Sequence, residues 1–296
     1  IIQANLILKN KNKTMHKLAI SNLNRSILLC LSLLLFGNTA TADSIAGSNG
    51  IIEITPLVHS SVQLEYDGFV VQVDPWAPID ISHAKTADLI LVTDSPGHHL
   101  DTGAIADLSD TSTSVVIAEN GLAQLPNAVV AINGELLKVA GVTVEAVAAY
   151  DIILGAPEHP KGDANGYVLT LGGKKFFFAG VTECVDEIKA LQDIDVAFMP
   201  MNIPLARMTP KAAADCTKIL SPEVVYTYHF DQDWVRRLGN PDFAGSTLPG
   251  GLNVAESLDA FERELTDSGI EFRRGDWYPK STDSVVALIQ NQIGKN

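Results

Sequence analysis

Apolar and β-branched residues recur through the first half of the chain in short runs broken by turn residues. Residues 51–57, 61–66 and 69–74 read as strands, the last two joined at Asp67-Gly68, a strong tight-turn pair. Residues 89–93 are apolar without interruption, the pattern of a strand covered on both faces. Further strands are predicted at 114–118, 142–149, 167–171, 175–179, 195–199 and 223–228, with Gly172-Gly173 turning one hairpin. Helical spacing appears at 102–108, 185–191, 209–220, 254–266 and from 284 onward. Thr209 reads as an N-cap with Pro210 at the first helical position. Val254, Leu258, Phe261 and Leu265 share one helix face, the mark of core packing. Hairpins early and strand–helix units later predict an α/β chain of two sheets flanked by helices, with no linker to divide it.

Residues 1–42 follow another pattern. Lys17 and Arg25 precede an apolar stretch at 27–36, and Ala40-Thr41-Ala42 is a small-residue cleavage site. The expectation is a signal peptide starting at Met15, preceded by an upstream segment and removed after Ala42. The stretch is short for a retained anchor, and Cys30 lies inside it, too early for a lipoprotein cysteine. Cleavage leaves one domain at 43–296, periplasmic or secreted. Five of the 21 basic residues and none of the 35 acidic ones fall in 1–42, so the remainder carries 16 against 35, a formal −19. That sign repels nucleic acid and anionic membrane, and neither is expected as a partner. A small-molecule substrate is expected instead; oligomeric state is not legible.

Cys184 and Cys216 remain after cleavage. Export permits a disulfide between them, but spacing alone does not establish one. Cys216, within a helix, reads as a buried free thiol. Among the histidines, His83 reads as solvated and His59, at a strand end, as a structural hydrogen-bonding residue. His98 and His99 follow the 89–93 strand, His159 precedes the 167 strand, and His229 ends the 223–228 strand. Loops at strand ends share one rim of a sheet, so these four converge on a candidate site.

The residues around them resemble a known family. The run from Thr93 through Asp94, Ser95, Pro96, Gly97, His98, His99 and Leu100 to Asp101 is similar to the T-H-x-H-x-D-H-x-D loop of metallo-β-lactamase-fold hydrolases. Asp74-Pro75-Trp76, His159-Pro160-Lys161-Gly162, Ala179-Gly180-Val181-Thr182-Glu183, Pro200-Met201-Asn202 and Tyr226-Thr227-Tyr228-His229 match later motifs in order. The resemblance covers roughly residues 50–232 and is nearest to the branch of ascorbate-6-phosphate lactonase and N-acyl phosphatidylethanolamine phospholipase D. It implies a four-layer αββα sandwich.

It also implies where the site departs. The family's first two histidines fall on Asp94 and Pro96, its aspartate on His98, and its metal-bridging aspartate on Val181. Proline and valine ligate nothing, so a two-metal centre is disfavoured. His98, His99 and His229 form the expected set for one divalent metal, zinc first, with Asp94 or His159 as a fourth ligand or beside it. Asp94 is the natural general base, Asp101 a helix cap, Lys161 and Asn202 candidate substrate contacts, and Glu183 or Cys184 a replacement ligand. The expected activity is hydrolysis of an ester, lactone, amide or phosphoester. Two alternatives stand beside it: a metal-free relative that binds a ligand or hydrolyses without metal, and Ser95 as a nucleophile, which lacks an elbow motif. Residues 231–251, with Trp234, Arg236 and Arg237, read as a lid or a subunit contact.

Overall fold

The computed structural model describes residues 43–153, 158–240, 242–243 and 249–278. The expected leader and the helix from 284 lie outside them, as does part of 231–251. Two seven-stranded sheets are formed. The first runs β1 (Asp43–Ala46), β2 (Ile51–Pro56), β3 (Val62–Tyr66), β4 (Phe69–Val73), β5 (Leu89–Leu91), β6 (Ser114–Ile117) and β7 (Val129–Val130). The second, in spatial order from β14 back to β8, holds β8 (Leu136–Val139), β9 (Val142–Ala149), β10 (Ala164–Leu171), β11 (Lys174–Phe178), β12 (Val196–Pro200), β13 (Val224–Tyr228) and β14 (Glu271–Phe272). Each sheet begins with antiparallel neighbours and continues with parallel ones, from β4 onward and from β11 onward.

The layering follows from strand periodicity. Ile52 and Ile54, Val71 and Val73, and Leu89 and Leu91 share one buried cluster with Tyr167, Leu169, Phe176 and Phe178 of the second sheet. Ile90 and Val92 face the other way, into a separate cluster with Leu100, Ile105 and Ile117. The uninterrupted apolar run at β5 therefore serves two cores, one between the sheets and one beneath α1 (Thr102–Asp107). On the second sheet α3 (Pro210–Leu220) packs against β12 and against α5 (Val254–Glu264). Thr209 caps α3 through Ala212 N–H at 3.2 Å, and Asn253 closes a capping box on α5. The result is the α/β arrangement of a metallo-β-lactamase-type αββα sandwich.

Strands β1, β7, β8 and β14 were not foreseen. They have two to four residues, and their half-exposed patterns carry little apolar signal. The expectation of a free thiol at Cys216 is corrected: Cys184 and Cys216 form a disulfide, with Cα atoms 5.7 Å apart. The packing of α2 (Asp186–Lys189) on α3 brings the two cysteines together across 32 residues, a tertiary proximity that spacing does not encode.

Two glycines let β10 and the end of β11 approach closely, and the second of them also makes room for Thr93 of the other sheet. A Cβ on Gly166 would stand 2.8 Å from the Ala179 carbonyl oxygen. Gly180 has φ +70° and would meet the Asn165 carbonyl at 2.9 Å and Thr93 Cβ at 3.3 Å. Asn165 N–H then donates to the Thr93 carbonyl at 2.9 Å, and the Tyr167 hydroxyl to that of Val92, also at 2.9 Å.

Candidate metal centre

At this end, four imidazoles converge from both sheets. His59 lies in the turn between β2 and β3, His98 and His99 in the loop from β5 to α1, and His229 directly after β13. The Pro96 carbonyl accepts from His99 N–H at 2.8 Å and Leu100 N–H at 2.9 Å, so a residue that cannot ligate builds the turn presenting two that can. His229 N–H donates to the His59 carbonyl at 3.1 Å, which joins the second sheet to the first. His59 (φ 57°), Asp74 (φ 43°) and His229 (φ 56°) all sit in the left-handed region, a sparsely populated one for such residues. Non-glycine residues held there cost roughly 1–3 kcal/mol each and gather at functional sites.

One nitrogen from each of the four rings lies within 4.8 Å of the others. His59, His99 and His229 are almost wholly buried and His98 partly so. Two rings are held from behind by carboxylates. Asp231 Oδ1 is 2.5 Å from His59 Nδ1, and Asp74 Oδ2 is 2.7 Å from His99 Nδ1. Asp74 is itself fixed by Thr93, whose N–H donates at 2.7 Å and hydroxyl at 2.6 Å. A carboxylate at Nδ1 selects the tautomer with its proton there and leaves the Nε2 lone pair facing inward. His59 Nε2, His99 Nε2 and both nitrogens of His229 are buried without a hydrogen-bond partner. Polar atoms left so cost about 1–3 kcal/mol each. A divalent cation among them satisfies several at once, so the donor set fits a metal. Burial, followed by the charges of His99, His59 and His159, drives the His98 pKa far down. Burial, followed by His59, His99 and His98, does the same to His229. Both rings are thereby neutral, the state a ligand requires.

Beside this cluster stands a group of opposite character. His159 Nε2 is 3.2 Å from Asp94 Oδ2, and its Nδ1 is 3.4 Å from Asp151 Oδ2. The same Asp151 oxygen accepts His159 N–H at 2.8 Å. Arg207, buried, pairs through Nη1 with Asp151 and through Nη2 with Glu158 at 2.9 Å, while its Nε donates to the Pro204 carbonyl at 2.7 Å. For His159, burial acts downward but the Asp94 hydrogen bond and the Asp94 and Asp151 charges outweigh it, so its pKa is raised. For Asp94, burial acts upward and is overcome by the His159 hydrogen bond, the His99 and His159 charges and the Ser95 N–H, so its pKa is lowered. Here the charges are already paired.

The expected site residues divide accordingly. His98, His99 and His229 meet, with His59 as the fourth member, while Asp94 and His159 form their own pair. Lys161 is exposed, paired with Glu187 and 5.1 Å above the Tyr150 ring. Asn202 follows β12 with φ 60°, fully buried, its side-chain oxygen and nitrogen both without hydrogen-bond partners. Asp101 caps α1 through Gly103 N–H at 3.0 Å and Ala104 N–H at 3.1 Å, as expected. Val181 is buried in the main apolar cluster, so the bridging-carboxylate position is a packing position. Neither Glu183 nor Cys184 replaces it. Glu183 accepts from Ile152 N–H at 2.7 Å and Ile153 N–H at 2.8 Å, and Cys184 is bonded to Cys216.

His59 and Asp231 are the residues that the sequence reading missed. His59 does make its expected structural hydrogen bond, but through Nδ1, which leaves Nε2 for another task. Its position after a strand end, the feature shared by the other three, was the available signal. Asp231 opens the stretch read as a lid. That stretch begins with α4 (Gln232–Gly239), whose Trp234 ring is 5.7 Å from Trp76 and 5.1 Å from Tyr278. Trp76 in turn lies edge-on, 5.7 Å from His59 and 6.0 Å from His98.

Comparison with known proteins bears on the family and the fold. The family model for beta-lactamase superfamily domains matches residues 53–229. A UPF0173 metal-dependent hydrolase of Methanopyrus kandleri is 28% identical over 236 residues, which is 74% of this chain and 94% of the relative. The crystal structure of a protein of Parabacteroides distasonis, assigned to the metal-dependent hydrolases, superposes with a TM-score of 0.66 at 32% identity, covering 80% of this chain and 98% of that one. The metallo hydrolase Igni18 of Ignicoccus hospitalis shares the fold, with a TM-score of 0.57 at 19% identity over 75% of this chain and 94% of its own.

Proposed function

The chain belongs to the beta-lactamase superfamily domain family, and from that premise we propose that it is an exported hydrolase working with one zinc ion held by His59, His98, His99 and His229. The observation that carries this reading is the set of buried imidazole nitrogens with no partner, two of their rings braced by carboxylates. A divalent cation held there would supply Lewis acidity, and with a ligand position open beyond the four imidazoles it would bring water within reach of ionisation near neutral pH. The protein's own residues supply the rest. Asp74 and Asp231 hold His99 and His59 in one tautomer and orientation. Asp94, kept ionised by His159 and the Ser95 N–H, accepts the proton of the attacking water and returns it to the leaving group. Trp76 and Trp234 form an apolar wall beside His59 and His98, and Asn202 offers an amide for a polar group of the substrate. Substrates of the ester, lactone, amide or phosphoester class fit this chemistry, as does the lactonase and phospholipase branch that the motifs resemble. The metal-free alternative would leave at least three buried nitrogens uncompensated.

Export rests on the apolar leader with its Ala40-Thr41-Ala42 site and on the Cys184–Cys216 disulfide, a bond that persists in oxidising compartments. The test is elemental analysis of the chain from Asp43, purified without a histidine tag, beside His99→Ala. About one zinc per chain, lost in the variant, is expected. No metal in either after zinc loading would leave the reading without its centre.

A further inference from the structure

We propose that the Cys184–Cys216 disulfide is a redox-set strap that positions the general base: oxidised, it fixes the residues holding His159 against Asp94, and reduced, it releases them. The proposal rests on the reading above for the role of Asp94, while its geometry is independent of any metal. Residues 182–185, between Val181 and α2, are neither strand nor helix. The four residues of α2 are too few to hold a helical turn unaided. The anchor of this segment is covalent. Cys184 is bonded to Cys216, which is buried in α3, the helix packed on β12 and α5. From the anchored segment, contacts reach residues 150–153 and 161. Thr182 Oγ1 accepts Tyr150 N–H at 3.1 Å, and Glu183 N–H donates to the Tyr150 carbonyl at 3.1 Å. Glu183 Oε2 accepts from Ile152 N–H at 2.7 Å and Ile153 N–H at 2.8 Å. Glu187 accepts from the Tyr150 hydroxyl at 3.0 Å and pairs with Lys161.

Asp151 stands in the middle of the strapped residues. Its N–H donates to the His159 carbonyl at 2.9 Å, and its carboxylate accepts His159 N–H at 2.8 Å. His159 Nε2 is in turn 3.2 Å from Asp94. The line of support therefore runs from Cys184 through Glu183 and residues 150–153 to His159 and Asp94. The four clustered histidines rest on other supports: Asp74, Asp231, the turn at Pro96 and the end of β13. The two sulfurs differ in access. Cys216 is 1% exposed, whereas Cys184 is half-buried, so an attacking thiolate meets Cys184 first. With dithiothreitol, one thiolate bonds to Cys184 Sγ and Cys216 leaves as its thiol. The reagent's second thiol then displaces Cys184 and closes the reagent into a cyclic disulfide. Reoxidation transfers two electrons and two protons from the cysteine pair to a disulfide oxidant, which departs as two thiols. Turnover is then expected to follow the redox state of the chain while metal content does not, which ties full activity to an oxidising compartment.

The test is nitrogen-15 NMR of the metal-free chain from Asp43, oxidised and after dithiothreitol, beside Glu183→Ala with its disulfide intact. In the oxidised chain the backbone order parameters of Ile152, Ile153 and His159 are expected near the rigid value of about 0.85, and on reduction to fall to about 0.6 or below. Glu183→Ala should reproduce the fall, and reducing that variant should add little, because both changes cut the same line of support. The ring nitrogen signals of His159 should move on reduction while those of His98, His99 and His229 stay in place. Glutathione disulfide should restore the oxidised spectrum. Order retained at Ile152, Ile153 and His159 after reduction overturns the proposal. So does an equal loss of order at His99, Leu100 and His229, or a reduced chain that unfolds, since either marks a general brace. Should Glu183→Ala not fold, the comparison of oxidised and reduced parent decides alone. None of these signals needs zinc or substrate, so a chain found to bind no metal refutes the four-histidine reading and leaves this test standing.

Discussion

The two halves of the site solve the problem of buried polarity in opposite ways. The four-histidine half holds His98 and His229 neutral, and it leaves nitrogens of His59, His99 and His229 without partners. The Asp94–His159–Asp151–Arg207 half pairs each charge with its opposite inside the protein. The first is built for a cation; the second already holds its own. A shared ancestry of ligand positions therefore does not make them equivalent, and the difference lies in what stands behind each ligand. Asp74 and Asp231 sit behind imidazoles and sharpen them as donors, whereas Arg207 sits behind Asp151 and balances its charge.

The contrast breaks most completely at the ligands themselves. His229→Ala is expected to abolish stoichiometric zinc binding in equilibrium dialysis, while His159→Ala leaves it intact; equal losses would erase the distinction between halves. Next come the supporting carboxylates. Asp231→Asn keeps the shape but weakens the polarisation of His59, and zinc affinity should fall about 10–100-fold in a chelator competition assay. An unchanged affinity would mean that His59 is no ligand. The disulfide acts on the other half, because Glu183, beside Cys184, holds the Ile152 and Ile153 amides next to Asp151. Replacing both cysteines by Ala should cost about 2–4 kcal/mol in denaturant unfolding with zinc content unchanged; a loss of metal would show the halves to be mechanically coupled.

The smallest effects are those of pH on the metal-free protein, and the halves differ in sign. His98 and His229 have depressed pKa values, so the unfolded chain binds protons that the folded one refuses. Their contribution falls as pH drops below the ordinary histidine value of about 6.5. His159 is raised, so its contribution is complete below about 6.5 and is lost as pH rises through its folded value. Asp94 is lowered and stays charged throughout that interval, losing its contribution only as pH falls through its folded value. Thermal melts of the metal-free protein should show the His159→Gln penalty at pH 5–6 shrinking above pH 7–8, on the scale of the ordinary histidine value. A penalty independent of pH would refute the paired-charge account.

Much of this was legible in the sequence, and the exceptions have physical reasons. The strand pattern and the ordered motifs disclosed the αββα sandwich, because the alternating burial of β2 and the doubly covered β5 are direct consequences of the packing. His98, His99 and His229 were visible as residues at strand ends on one rim. His59 was misjudged because a histidine has two nitrogens, and a structural bond at one was taken to exhaust it. Asp231, Asp151 and Arg207 left no local signature. They act by being opposite other residues, at separations of 172 positions for Asp231 and His59 and 56 for Arg207 and Asp151, which only the folded chain reveals. The disulfide was hidden for the same reason.

The most direct test of the central claim is the zinc content of the chain from Asp43 beside its His59→Gln and His159→Ala variants, each confirmed as folded by circular dichroism. The four-histidine centre predicts about one ion in the parent and in His159→Ala, with marked depletion in His59→Gln. Full retention in His59→Gln with loss in His159→Ala would contradict it and return the metal to the half of the site where the ion pair now stands.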